Sequence, residues 1–232
     1  MKKVIALLLV FILCLSLCAC GSKKEEEAFN ASREAFNKIT EVYAKLDEYS
    51  QDIYMAFYLG ENSPGSYDGY KGYDFEKYNR DEFNGFAAKM NIDRMYIEEA
   101  VVNISGAEIF NTGSWFELGA LYGGSFSSAW VSVIIEAYIC SGDTDVISTS
   151  LNDVKEIVKM LSEDYADYEH YPAVKAYFTN ALAFFDFCKN PEGSLEDVET
   201  MFNNYQDVER KCFFDLNYVF EDSEAANAAD AK

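Results

Sequence analysis

Phe29, Ser32, Phe36, Ile39, Tyr43, Leu46, Ser50, Ile53 and Phe57 recur at alternating spacings of three and four, with polar residues between them. This is the period of an α-helix with one buried stripe. No Pro or Gly interrupts it, so the pattern predicts a helix over 25–59. Glu25, Glu26 and Glu27 suit the positive end of its dipole, and Gly60 ends it. Seven of the nine stripe positions are apolar and the other two are serines, so the stripe fits either the core of a bundle or a two-stranded coiled coil. Enough other helices follow to cover it within one chain.

A second helix is expected over 81–105, with Phe83, Phe86, Met90, Ile97, Val101 and Ile104 on one face and Gly106 as its stop. A third runs over 115–141, opened by a Ser114–Glu117 capping box. Phe126, Ala129, Trp130, Val133, Ile134, Ala137, Tyr138 and Ile139 make it apolar nearly all round, which predicts the central buried helix. The fourth, over 146–169, carries Ile147, Leu151, Val154, Val158, Leu161, Tyr165 and Tyr168. The fifth opens at Pro172, placed as its first residue, and ends near Cys188. Asn190-Pro191-Glu192-Gly193 is a turn, and Ser194 with Asp197 caps a sixth helix that reaches Glu221. Residues 222–232, rich in Ala, Asp and Asn, are expected to fray. No strand signal of comparable length is present. The expectation is an all-α fold: five to six helices packed as a single-domain bundle over 25–221.

Lys2 and Lys3 precede an almost wholly apolar run over 4–17, which ends in Leu17-Cys18-Ala19-Cys20-Gly21. Positive charge, apolar run and small residues are the layout of an export signal. The run is shorter than the roughly 20 residues needed to span a bilayer. An ordinary cleavage after Ala19 would put bulky Leu17 where a small residue is wanted. Leu17, Ala19 and Cys20 together resemble the lipobox of bacterial lipoproteins. The resemblance covers residues 1–21 and implies that 1–19 are removed and that Cys20 becomes the lipidated first residue. It places the protein on the extracytoplasmic face of a bacterial membrane. Residues 20–24 would form a short tether, and two acyl chains would make a stable anchor. Lys23 and Lys24 could then meet lipid phosphates.

Charge sharpens this picture. The chain carries 40 acidic and 19 basic residues, a net charge of −21, and loss of residues 1–19 would remove two more lysines. Such a surface argues against nucleic acid as a partner. Of six cysteines, Cys14 and Cys18 leave with the signal and Cys20 is acylated, so Cys140, Cys188 and Cys212 remain. Three cysteines in apolar helical patterns read as small buried side chains rather than a disulfide framework or a zinc site.

Residues 60–80 break the helical pattern with Gly60, Pro64, Gly65, Gly69 and Gly72. Tyr67, Tyr70, Tyr73 and Tyr78 are interleaved with them and form a candidate binding loop, because tyrosine gives contact area at low entropic cost and stacks on sugars; the alternative is a loop folded back so that these tyrosines cover the bundle. The acids there lack calcium-loop spacing. His170 is the only histidine, which excludes paired Glu-x-x-His di-iron sites and two-histidine zinc helices. It is placed at the C-terminal end of the fourth helix, where a cation suits the dipole. Asp167 and His170 have ligand spacing but no further partner is evident, so no metal site is assigned. No nucleophile elbow, phosphate loop or dinucleotide fingerprint is present, so no cofactor or catalytic residue is assigned. The function expected is a membrane-anchored binding or interaction module with an envelope protein or glycan partner. Two alternatives are an envelope enzyme using carboxylates near 60–80 and a structural lipoprotein that self-associates through the 29–57 stripe. A cleft of converging buried acids would favour the enzyme.

Overall fold

The computed structural model describes the backbone of residues 2–62, 83–106 and 126–230, and the side chains of residues 23–60, 83–106 and 128–221. The fold is all-α, with no strand among the described residues. Six long helices are α1 (Lys2–Asn62), α2 (Arg94–Ser105), α3 (Phe126–Cys140), α4 (Asp143–Asp164), α5 (Tyr171–Lys189) and α6 (Leu195–Asp230). A short helical stretch at 83–87 precedes α2. The helix expected over 81–105 is therefore two pieces. Asp93 starts the second piece, its side chain accepting the Met95 N–H at 3.1 Å. That capped start is what separates the segments.

The centre of the bundle is α1, not the helix around 126–140. Helices α3, α4, α5 and α6 all pack against α1. The predicted stripe is buried from Ser32 to Phe57, and Phe29 is half-buried beside it. Contact on several sides widens the buried surface to Ala35, Val42, Tyr49, Asp52 and Ala56. The stripe is thus covered by the chain's own helices and offers no seam to a second copy. Helix α3 keeps Ala129, Trp130, Val133, Ile134, Ala137 and Tyr138 in the core, while Ile139 is 52% exposed.

The contacts fix the directions. Tyr138 of α3 stacks on Tyr49, Asp143 of α4 meets Lys45 at 2.6 Å, Asp153 meets Lys38 at 3.1 Å, and Tyr165 donates to Glu27 at 2.8 Å. Helices α3 and α4 therefore run end to end down the side of α1, antiparallel to it. Gly142 makes the joint between them, at φ 81°, a conformation that costs a residue with a Cβ. Helix α5 returns upward, with Tyr177 against Phe36 and Tyr43, and Phe184 against Tyr43. Helix α6 descends, with Tyr205 stacked on Phe184, then Phe213 on Phe36 and Phe220 on Phe29.

Local signals explain several boundaries. Ser194 Oγ accepts the Asp197 N–H at 3.3 Å while Asp197 Oδ2 accepts the Ser194 N–H at 2.9 Å, a reciprocal cap for α6. Pro172 is the second residue of α5, one place later than expected, and its missing N–H costs nothing there. Helix α4 ends at Asp164 rather than 169, and α6 continues past Glu221 to Asp230. Helix α1 runs unbroken through 20–24, so the stretch read as a tether is helical.

Candidate functional site

The most constrained polar group in the described residues is the Asp52 carboxylate, 1% exposed on α1. Its Oδ1 accepts the Asn91 N–H at 2.7 Å and Asn91 Nδ2 at 3.0 Å. Its Oδ2 accepts the Ile92 N–H at 3.0 Å and the Tyr138 hydroxyl at 3.1 Å. Asp52 thereby ties α1 to the connector before α2 and to α3. Burial pushes its carboxyl above the usual range, and the four donors pull the other way. Burial, with Asp52 alongside, also drives the Tyr138 hydroxyl well above its ordinary value. The Tyr138 ring stacks on Tyr49 at 4.0 Å between centroids and 18° between planes.

Asp52 forms the base of a groove of about 420 Å³ between α1, the 88–93 connector and α6. From α1 come Ser50, Gln51, Tyr54 and Met55; from the connector, Lys89 and Asn91; from α6, Glu199, Phe202, Asn203 and Gln206. This volume lies in the range of small-molecule sites, about 300–1,000 Å³. One helical turn below, half-buried Asp47 holds Gln206 Nε2 at 3.5 Å. Burial raises both Asp47 and Glu209, and Asp47 adds to the rise at Glu209.

At the opposite end, a hollow of about 590 Å³ is formed by Lys24, Glu25 and Phe29 of α1 and the 164–170 turn. His170 lies here, not at a helix C-terminus as expected but immediately before Tyr171, the start of α5. A cation there opposes the dipole. Tyr168 packs edge-on against the His170 ring, and burial lifts its hydroxyl to about 12. Asp167 also lines the hollow, but no group of three metal-ligating residues exists among the described residues.

This geometry separates the sequence-derived candidates. Tyr67, Tyr70, Tyr73 and Tyr78 lie outside the described residues, as does the Ser114–Glu117 cap. Cys20 falls within α1, but its side chain is outside them. Cys188 and Cys212 are buried as expected, whereas Cys140 is only half-buried. Burial raises the Cys140 thiol, with Glu99 and Glu136 adding to it, so it is held as thiol rather than thiolate. Asp52 has its lone pairs occupied by protein donors, which leaves no acceptor with which to take a substrate proton. His170 is at the far end of the bundle from it. Sequence reasoning missed Asp52 and the groove, whose residues come from three separated segments.

Among the described residues no helix is long and apolar enough to cross a membrane. The chain matches no protein-family model, no curated protein and no solved structure.

Proposed function

We propose that the protein is an extracytoplasmic lipoprotein, held at the outer face of a bacterial membrane through lipidated Cys20, whose distal end is a binding module for an envelope protein or glycan. One observation carries the reading. Helix α1 contains Cys20 and continues without a break to Asn62. At 1.5 Å per residue, the Asp52 groove stands roughly 50 Å along the helix from the anchor. Asn62 and Phe83, the described residues on either side of the four tyrosines in sequence, belong to this end of the bundle. Anchor and polar groove are thus at opposite ends of one stiff element, an arrangement suited to holding a binding surface clear of lipid headgroups.

The enzyme alternative places its carboxylates near residues 60–80, of which 63–82 lie outside the described residues, while the buried acid Asp52 has its lone pairs occupied by protein donors. A self-assembly reading would need the 29–57 stripe, and the chain's own helices occupy it.

Two experiments test the proposal. Cys20→Ser should abolish lipid labelling and release the protein from membranes; firm retention of the variant would remove the anchor. Capture of envelope components by the protein should fall when Tyr67, Tyr70, Tyr73 and Tyr78 are changed to Ser. Undiminished capture would remove the loop from the binding surface.

A further inference from the structure

The groove above Asp52 is lined by four primary carboxamides from three segments: Gln51 of α1, Asn91 of the connector, and Asn203 and Gln206 of α6. We propose that this groove binds a short neutral saccharide, which rests on the binding-module reading and gives its partner a chemical class.

A carboxamide carries donor and acceptor side by side, and a pair of neighbouring sugar hydroxyls presents the complement. Asn91 is fixed for this task. Its Nδ2 is committed to Asp52, so the ring of possible amide orientations is reduced to one and Oδ1 remains as an acceptor for a ligand hydroxyl. Gln206 is held in the same sense through Nε2 and Asp47. Gln51 and Asn203 have no hydrogen-bond partner among the described residues and keep both functions for a ligand.

Charge points the same way. In a chain of net charge −21, the rim of this groove carries one cation, Lys89, and one anion, Glu199. Asp52 beneath has its lone pairs occupied by four uncharged protein donors. Lys89 and Glu199 offset one another at the rim, and the acidic chain around them disfavours an anionic ligand. Half-buried Tyr54 and Met55 supply a modest apolar strip for the C–H face of a sugar ring. A peptide would gain most from apolar side-chain pockets, but Phe202 on the floor is already packed against Phe184 and Phe187. The density of paired donors and acceptors matches hydroxyls better.

The test is titration calorimetry of the full-length protein in detergent with maltotriose, cellotriose and chitotriose as probes. Trigalacturonate and a capped Ala-Ser-Ala peptide serve as charged and peptidic comparisons. At least one neutral trisaccharide should give saturable heat at millimolar concentration or below. Gln51→Ala combined with Asn203→Ala should weaken it by about tenfold or more without changing the thermal unfolding midpoint, since both side chains are exposed. Phe214→Ser, roughly 12 Å further along α6 than Gln206 and absent from the groove lining, should bind as the parent does. The proposal is overturned if no neutral trisaccharide binds, if only the peptide or the charged sugar binds, or if the double variant binds unchanged. Envelope capture that persists without saccharide binding would remove this inference alone. Saccharide binding that survives loss of membrane retention would leave it standing while the anchor falls.

Discussion

Asn91 is bound to Asp52 twice, its main-chain N–H at 2.7 Å and its side-chain Nδ2 at 3.0 Å meeting the same carboxylate oxygen. The two residues are 39 apart in sequence. Together with the Ile92 N–H, which meets Oδ2 at 3.0 Å, the contact replaces the helical hydrogen bonds that Asn91 and Ile92 give up where the predicted 81–105 helix breaks, so the break and the buried acid are one device. Asp52→Ala should therefore strand the Asn91 and Ile92 N–H groups and the Tyr138 hydroxyl. A loss of about 3 kcal/mol is expected in urea unfolding, within the range for buried groups left unpaired. Asp52→Asn keeps one acceptor oxygen and should lose less. A variant with Asp52→Ala as stable as the parent would mean that the carboxylate does not hold the connector.

The capping of α6 and the burial of α1 could be read from the sequence because each depends on near neighbours. Ser194 and Asp197 are three residues apart, and the 29–57 stripe is a periodicity within one helix. Asp52 could not be read. A charged residue beside Ile53 looks like a solvated position until amides 39 residues away fill its lone pairs. The break before α2 was masked because Met90 keeps the apolar spacing while Asp93, the cap, sits inside the run. Apolar composition alone points to α3 as the centre. The centre is instead set by how many partners a helix meets, and the alternation of directions gives α1 the most. The groove draws one carboxamide or more from each of three segments, and spacing along the chain does not encode that convergence.

Burial raises Asp47, Asp52 and Glu209 above their ordinary values. For each, the folded protein binds its proton more tightly than the unfolded chain does. Their contribution to stability is therefore present at low pH and is lost as pH rises through the unfolded and then the folded values. Exposed Asp197 is lowered by its bonds to Ser194 and acts in the opposite sense. The net charge of −21 adds repulsion in the same upward direction of pH. The urea midpoint should accordingly decline as pH rises from about 4, the ordinary carboxylate range of the unfolded chain. Asp47→Asn should flatten the decline. A midpoint that rises over this interval would contradict the assignment.

Leu46 is fully buried on the stripe of α1, whereas Phe214 and Tyr218 on α6 are 69% and 73% exposed. Truncating the first opens a cavity between α1 and its partners, and truncating the others opens none. Leu46→Ala should cost about 2–5 kcal/mol, while Phe214→Ser and Tyr218→Ser should each stay within about 0.5 kcal/mol of the parent. Thermal or urea unfolding of the three variants decides it. Equal losses at all three sites would place the exposed face of α6 in an interface.

Gly142 joins α3 to α4 at φ 81°, and a Cβ built there meets nothing within 4 Å. The cost of a side chain is then backbone strain alone, uncomplicated by collision. Gly142→Ala should lower stability by roughly 1–2 kcal/mol, and Gly142→Asn by less, because asparagine tolerates the left-handed region better. The same joint aligns Asp143 with Lys45 and lets Thr144 Oγ1 donate to the Tyr138 carbonyl at 3.0 Å. Relaxation of the joint should therefore also speed hydrogen exchange at the first turn of α4, with exchange in α5 unchanged. Equal stability of the alanine variant and the parent would show that the joint can adopt another conformation without loss, and that the end-to-end alignment of α3 and α4 does not depend on glycine.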